Sequence, residues 1–196
     1  MSVYHLAPPP SLGVGEKSFA TWENGFTDEQ LTRIIELGDA LELSSASVDN
    51  DTIDDKVRRS ETGWMELNQD TTFIYDTLGF ISRQLNGQFF DFDLFGFVEH
   101  LQYTVYRDNG GHYDWHLDRG GIGVAPRKLS LVLQLSDPGE YEGGDLELFV
   151  SDEPTRIERK KGLVVAFPSF VLHHVTPVTS GTRRTLVVWL SGPKFR

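Results

Sequence analysis

YRDNGGHYDWHLD, residues 106–118, decides how the rest of the chain is read. It has the pattern of a strand end, a tight turn at Gly110-Gly111, and a second short strand closing on His116-Leu117-Asp118. Side chains alternate along a strand, so His116 and Asp118 are expected to point the same way, with Cα atoms roughly 6.6 Å apart. Leu117 is expected on the opposite face, where it can enter a core. An imidazole and a carboxylate converging on one point make two thirds of a metal site. The third ligand is then expected to be a His from elsewhere in the chain. A set of two His and one carboxylate leaves coordination positions open and suits non-haem Fe(II). By itself, an HxD pair fits a surface His beside an Asp equally well.

Two later segments bear on that choice. LHHVTPV, residues 172–178, is an apolar run carrying His173 and His174, and GTRR, residues 181–184, opens the apolar run TLVVWL. They bring a His and an Arg to neighbouring segments. His173 and His174 fall on opposite faces of a strand, so one of them at most can meet His116 and Asp118. The local pattern does not choose, because each has an apolar residue two positions away, Val175 or Leu172.

Composition narrows the function classes. A chain of 196 residues, 39% hydrophobic and 12% aromatic, is sized for one packed domain. A formal net charge of −11 argues against a nucleic-acid partner, which calls for a basic face. With no cysteine there is no disulfide framework, thiolate site or zinc knuckle. The opening MSVYHLAPPP lacks the basic-then-apolar pattern of a signal peptide. No apolar run reaches membrane-spanning length. The expectation is a soluble, cytoplasmic protein with no membrane association.

Taken in order, residues 1–17 contain Pro8-Pro9-Pro10, Gly13 and Gly15 and read as an extended lead-in. Residues 18–196 read as one domain: a helical support region over 18–97 and a β core over 98–192. Thr27 is an N-cap with Gln30 at the capping-box position, and Leu31, Ile34, Ile35 and Leu41 mark one helix face. The acidic stretch over 44–58, with Asp49, Asp51, Asp54 and Asp55, lacks the Gly and closing Glu of a calcium loop and reads as solvated. Arg58 to Trp64 reads as one strand. Thr71 to Leu85 carries a second helical period through Ile74, Leu78 and Ile81. The aromatic run Phe89, Phe90, Phe92, Phe95 and Phe97 reads as core. Val98, His100, Gln102, Thr104 and Tyr106 share one strand face, a polar one suited to lining a cavity. The loop from Arg119 to Arg127, with three glycines and a proline, stands where a substrate lid would lie. Leu129, Leu131, Leu133 and Leu135 alternate with Ser130, Val132, Gln134 and Ser136. Short strands follow from Gly143-Gly144 to Leu190. Such a succession indicates a sandwich or barrel.

The spacings taken together resemble a known family. Tyr106, His116 and Asp118, Gly143-Gly144-Asp145-Leu146, Phe167-Pro168-Ser169, His173, Val175, Pro177-Val178, Gly181, Arg183 and Trp189 follow the pattern of prolyl-4-hydroxylase-type 2-oxoglutarate/Fe(II) dioxygenases, especially small bacterial and phage-like ones. The resemblance runs from about residue 18 to the end and is densest from Leu101 onward. It implies a mainly β fold with N-terminal supporting helices around a double-stranded β-helix, or jelly-roll, core. It implies Fe(II), 2-oxoglutarate and O₂, with ascorbate as a candidate reductant. The metal ligands would be His116, Asp118 and His173, since the family spacing from Pro168 and Pro177 selects position 173 over 174. Arg183 would hold the distal carboxylate of 2-oxoglutarate through a planar, permanently charged fork. Tyr106 and Leu146 would complete the cosubstrate site, and Trp115, Arg119 and Trp189 would be pocket walls or substrate contacts. Arg184, on the opposite face, fits a surface ion pair. The expected activity is hydroxylation of a C–H bond, prolyl-type on a protein or peptide, or on a free amino acid or other small molecule. A zinc hydrolase or isomerase using the same triad, and a non-catalytic binding protein, are the alternatives. The sequence names neither the substrate nor the oligomeric state.

Overall fold

The computed structural model describes residues 18–46, 54–120 and 126–194. In chain order the elements are β1 (Ala20–Trp22), α1 (Asp28–Asp39), β2 (Ser44–Ser45), β3 (Arg58–Arg59), β4 (Glu61–Met65), α2 (Thr72–Leu85), β5 (Gly96–Phe97), β6 (Leu101–Arg107) and β7 (His112–His116). They continue with β8 (Arg127–Gln134), β9 (Tyr141–Gly143), β10 (Leu146–Phe149), β11 (Thr155–Arg156), β12 (Val164–Pro168), β13 (Leu172–Val175) and β14 (Val178–Ser191). The protein is mainly β. A nine-stranded sheet runs β1-β12-β8-β14-β6-β4-β2, with β5 and β9 also pairing to β14, and a five-stranded sheet runs β11-β10-β13-β7-β3.

Alternation in the central strands of the large sheet explains the layering. Along β8, Leu129, Leu131 and Leu133 point to one face; along β6, Leu101, Tyr103 and Val105 do; along β14, Leu186, Val188 and Leu190 do. All join one apolar cluster with Leu31 and Ile34 of α1 and Ile74, Leu78 and Ile81 of α2. Each fully buried leucine contributes about 2 kcal/mol there. The opposite faces present Val132, Val165, Phe167 and Tyr106 to Leu146, Leu148 and Val175 of the small sheet, in a second cluster. The two sheets thus face each other, and the helices cover the large sheet's other side.

Local chemistry sets the ends of these elements. Thr27 Oγ accepts from the Gln30 amide at 3.2 Å, while the Gln30 side chain accepts from the Thr27 amide at 2.9 Å, closing the capping box. The turn into β7 uses Gly110 at φ +80, and a Cβ on Gly111 would stand 2.7 Å from the Arg107 nitrogen. Among the described residues, no helix is long and apolar enough to cross a membrane.

Several expectations need correction. Arg58 to Trp64 is not one strand: β3 pairs with β7 in the small sheet and β4 with β6 in the large one, so the chain changes sheets at Ser60. Leu117 does not enter a core and is 41% exposed, because β7 has ended at His116 and alternation no longer governs it. The aromatic run is a partly buried rim of the core, and Phe95 is 70% exposed. Val98 and His100 precede β6 and are outside its polar face, and Leu41 lies beyond the end of α1. The lead-in over 1–17, Asp49 and Asp51, and the middle of the expected lid, 121–125, lie outside the described residues.

Candidate metal centre

β7 and β13 run antiparallel with His116 opposite His173, so the two imidazoles share a face, ring centroids 4.1 Å apart. Asp118 reaches the same point by another route. Its amide donates to the Ser169 carbonyl at 3.0 Å, anchoring the turn after β7, and its Oδ2 accepts from Ser130 Oγ at 2.7 Å. The Nε2 atoms of His116 and His173 then lie 3.8 and 3.5 Å from the two carboxylate oxygens. One ligand atom from each of the three residues falls within 4.8 Å of the others.

The tautomers follow from the partners of the other ring nitrogens. His116 Nδ1 stands 2.7 Å from the Asp114 carbonyl and His173 Nδ1 2.9 Å from the Val171 carbonyl. A carbonyl oxygen can only accept, so both Nδ1 atoms carry a hydrogen and both Nε2 atoms are turned toward Asp118. Burial, and then the neighbouring His173, push the His116 pKa down to about 3, against the opposing charge of Asp118. Burial works against ionisation of Asp118, but the two imidazoles, the Ser130 hydroxyl and the Trp189 indole outweigh it and hold the carboxyl below its usual range. Trp189 Nε1 is itself buried, without a hydrogen bond of normal geometry among the described residues. Two imidazoles with Nε2 turned inward beside a carboxylate in a buried site are a donor set for a divalent cation.

The centre opens into a cavity of about 420 Å³ between the sheets, lined also by Tyr106, Leu146, Arg119, Arg183 and Trp189. Arg183, on β14 opposite Tyr106, is 2% exposed, its guanidinium carbon 5.3 Å from the Tyr106 ring centroid. Among the described residues it makes no hydrogen bond or ion pair. A buried charge facing a cavity with no protein partner is a site for an anion.

Three residues point elsewhere. Trp115 does not reach the cavity: it neighbours His116 on β7, takes the other face, and stacks on His174 at 3.8 Å with Phe149 at its edge. His174 pairs with Glu147 at 2.8 Å on that outer face. Arg184 pairs with Asp39 at 3.1 Å, where Tyr103 also donates to the carboxylate.

Sequence reasoning missed Tyr113, Arg58, Arg127 and Ser130. Tyr113 lies flat against His116, centroids 3.4 Å apart, although a spacing of three should send them to opposite faces. The register explains this: β13 advances two residues, from His173 to Val175, while β7 advances three, from His116 to Tyr113. The extra residue is a β-bulge, which re-aims a side chain. Arg58 stacks over Tyr113 at 4.5 Å, and Arg127 over Trp189 at 3.7 Å. The polar positions of the alternating Leu129–Ser136 run already offered Ser130 as inward-facing.

Residues 101–191 match the pattern of the 2OG-Fe(II) oxygenase superfamily. A PKHD-type hydroxylase of Prochlorococcus marinus is 43% identical over 81 residues, 41% of this chain and 37% of that protein. One from Teredinibacter turnerae is 40% identical over 95 residues, 45% of this chain and 41% of that protein. The matched stretch thus spans about two fifths of these relatives' length. A prolyl-4-hydroxylase of Pseudomonas putida superimposes with a TM-score of 0.71 at 22% identity, over 90% of this chain and 94% of that one. A prolyl hydroxylase of Trichoplax adhaerens, in complex with a hypoxia inducible factor peptide, gives 0.75 at 15% identity over 89% and 83%. At such identities the likeness speaks for the fold, and it agrees with a jelly roll. Family pattern and relatives converge on the segment that builds the His–Asp–His cluster, and that segment, residues 101–191, is similar to the 2OG-Fe(II) oxygenase superfamily.

Proposed function

We propose that this protein is a 2-oxoglutarate- and Fe(II)-dependent dioxygenase that hydroxylates a C–H bond, prolyl-hydroxylase-like, on a protein or peptide. The observation that carries the reading is that a buried guanidinium with no hydrogen bond or ion pair among the described residues, that of Arg183, shares one cavity with the His116–Asp118–His173 cluster. A zinc hydrolase built on the same triad has no use for such a cation. A non-catalytic binding protein has no use for an open metal site.

In this reading His116, Asp118 and His173 hold the metal, and Arg183 receives the distal carboxylate of 2-oxoglutarate. Iron with 2-oxoglutarate and O₂ supplies the oxidising power for hydroxylation, and 2-oxoglutarate leaves as succinate and CO₂. The chain's own part is positional. The carbonyls of Asp114 and Val171 hold both rings with Nε2 turned toward the metal position, and Ser130 steadies Asp118. Tyr106 walls the cosubstrate site beside Arg183, with Leu146 opposite, and Trp189 closes the cavity next to Asp118. Arg119, at the cavity wall, is a substrate contact, and Trp115 leaves the site. Residues 98–192 form the double-stranded β-helix core of a single domain over 18–196, and α1 and α2 in 18–97 brace its large sheet. Ascorbate serves as reductant when iron is left oxidised. The protein from which metal has been stripped should convert 2-oxoglutarate to succinate when Fe(II) is returned. Restoration of activity by zinc alone, on any substrate, would reject the oxygenase reading in favour of the hydrolase one.

A further inference from the structure

The charged groups that line the cavity are mostly of one sign. Among the described residues, four guanidinium groups line it, those of Arg58, Arg119, Arg127 and Arg183, against one carboxylate, that of Asp118. This occurs in a chain whose formal net charge is −11. Arg183 is taken by the cosubstrate, and Arg127 is held by both oxygens of Glu99 at 2.6 and 2.5 Å. Arg58 and Arg119 stand on the side of the small sheet, where the metal ligands are. The Arg58 guanidinium lies 4.5 Å from the Tyr113 ring centroid, and that ring stacks on His116 at 3.4 Å. Arg119 follows Asp118 directly and is exposed at the cavity wall. Among the described residues it has no hydrogen bond or ion pair.

The negative charges of 2-oxoglutarate are met at the metal and at Arg183, so they do not account for these two cations. Positive charge concentrated in a cleft with low-dielectric walls raises the local concentration of anions. A guanidinium also orients a carboxylate, because its fork offers two parallel N–H donors. We propose that the substrate is a carboxylate-bearing molecule, its anionic group near the hydroxylated carbon and received by Arg119, with the charge of Arg58 behind it. The proposal rests on the dioxygenase reading and adds the substrate's chemical class. The carboxylate has two sources: the α-carboxylate of a free amino acid, or an acidic side chain beside the target residue of a peptide.

Two matched pairs of probes distinguish them: L-proline against L-prolinamide, and acetyl-Glu-Pro-Glu-amide against acetyl-Gln-Pro-Gln-amide. Calorimetric binding to the full chain loaded with manganese and 2-oxoglutarate reads affinity without turnover. The carboxylate-bearing member of at least one pair should bind at least tenfold more tightly, and the pair that shows the preference identifies the source. Arg119→Gln should shrink that preference to less than threefold, whereas a general loss of folding would weaken both members and keep the ratio. Equal affinities within both pairs, or failure of both carboxylate probes to bind at millimolar concentration, would overturn the proposal. So would a preference that survives in both Arg119→Gln and Arg58→Gln. The dioxygenase reading fails separately, if no Fe(II)-dependent succinate forms under any condition.

Discussion

His173 and His174 are adjacent on β13, and Arg183 and Arg184 are adjacent on β14, yet each doublet is divided between two environments. His173 faces Asp118 inside the cavity, while His174 lies between Glu147 and Trp115 on the outer face of the small sheet. Arg183 points into the cavity with no hydrogen bond or ion pair among the described residues, while Arg184 is paired with Asp39 outside the large sheet. The outward member has its polar needs met by the protein. The inward member does not, and that residual demand makes a site for ligands. The division can be tested by exchanging the roles of the two faces.

The largest effect is expected in the histidine doublet. His173→Ala removes one of three ligands and should weaken Mn(II) or Fe(II) binding more than a hundredfold. His174→Ala should keep metal affinity within about threefold and lose about 1 kcal/mol of stability with its partner and its stacking. Metal titration of both variants, with a thermal melt, decides it. Metal lost in His174→Ala and kept in His173→Ala would invert the two faces.

The arginine doublet is expected to follow the same rule. Arg183→Ala should raise the KM for 2-oxoglutarate about a hundredfold with metal still bound, the loss of a charge-assisted bidentate contact. Arg184→Ala should leave that KM alone and cost at most about 1 kcal/mol, since its pair is partly exposed. Equal rises in KM would show that the carboxylate is held elsewhere.

Alternation made much of this legible from the sequence. It divided Leu129–Leu135 from Ser130–Ser136, and it separated the members of each doublet. It failed wherever a partner strand, and not the strand itself, sets direction. Tyr113 faces the cavity because of a bulge that shows only against β13. Arg58 reaches it because the chain changes sheets at Ser60. Asp118 converges on His116 although it lies past the end of β7, held by the distant Ser169 carbonyl. The pairing of Arg184 with Asp39 joins positions 145 residues apart, which no local pattern encodes.

The inner face should also reveal itself through pH. The His116 pKa is about 3 in the folded protein and ordinarily 6.5. Between those values the unfolded chain holds a proton that the folded chain refuses, so stability falls as pH falls through the window. At pH 5, metal-free protein should be about 2 kcal/mol less stable than at neutral pH on this account, or about 4–8 °C in Tm. Asp118, depressed in the folded state, adds its loss in the same direction, below its ordinary value of 3.8. His116→Gln should flatten the slope between pH 6.5 and 5. An unchanged slope would mean that the imidazole is not held neutral.

The smallest expected effect tests the side-chain hydrogen bond by which the large sheet steadies a metal ligand. Ser130 sits on β8 of the large sheet, fully buried, and donates to Asp118 at 2.7 Å, whereas all three ligands lie on or beside the small sheet. Partners that orient a ligand are typically worth ten- to a hundredfold in metal affinity. Asp118 has in addition the Ser169 anchor on its backbone, so Ser130→Ala should fall near tenfold. A positioning role differs from simple loss of packing in its pH signature. The hydroxyl helps to hold the Asp118 carboxyl below its usual range, so its removal should raise that pKa. A protonated carboxyl is a poor ligand, so the acid limb of metal binding should move to higher pH in Ser130→Ala. Mn(II) affinity measured from pH 3 to 8 reads both effects. A tenfold loss with an unmoved acid limb would assign Ser130 to packing alone, and an unchanged affinity would show that Ser169 and the two histidines hold Asp118 without help from the Ser130 hydroxyl.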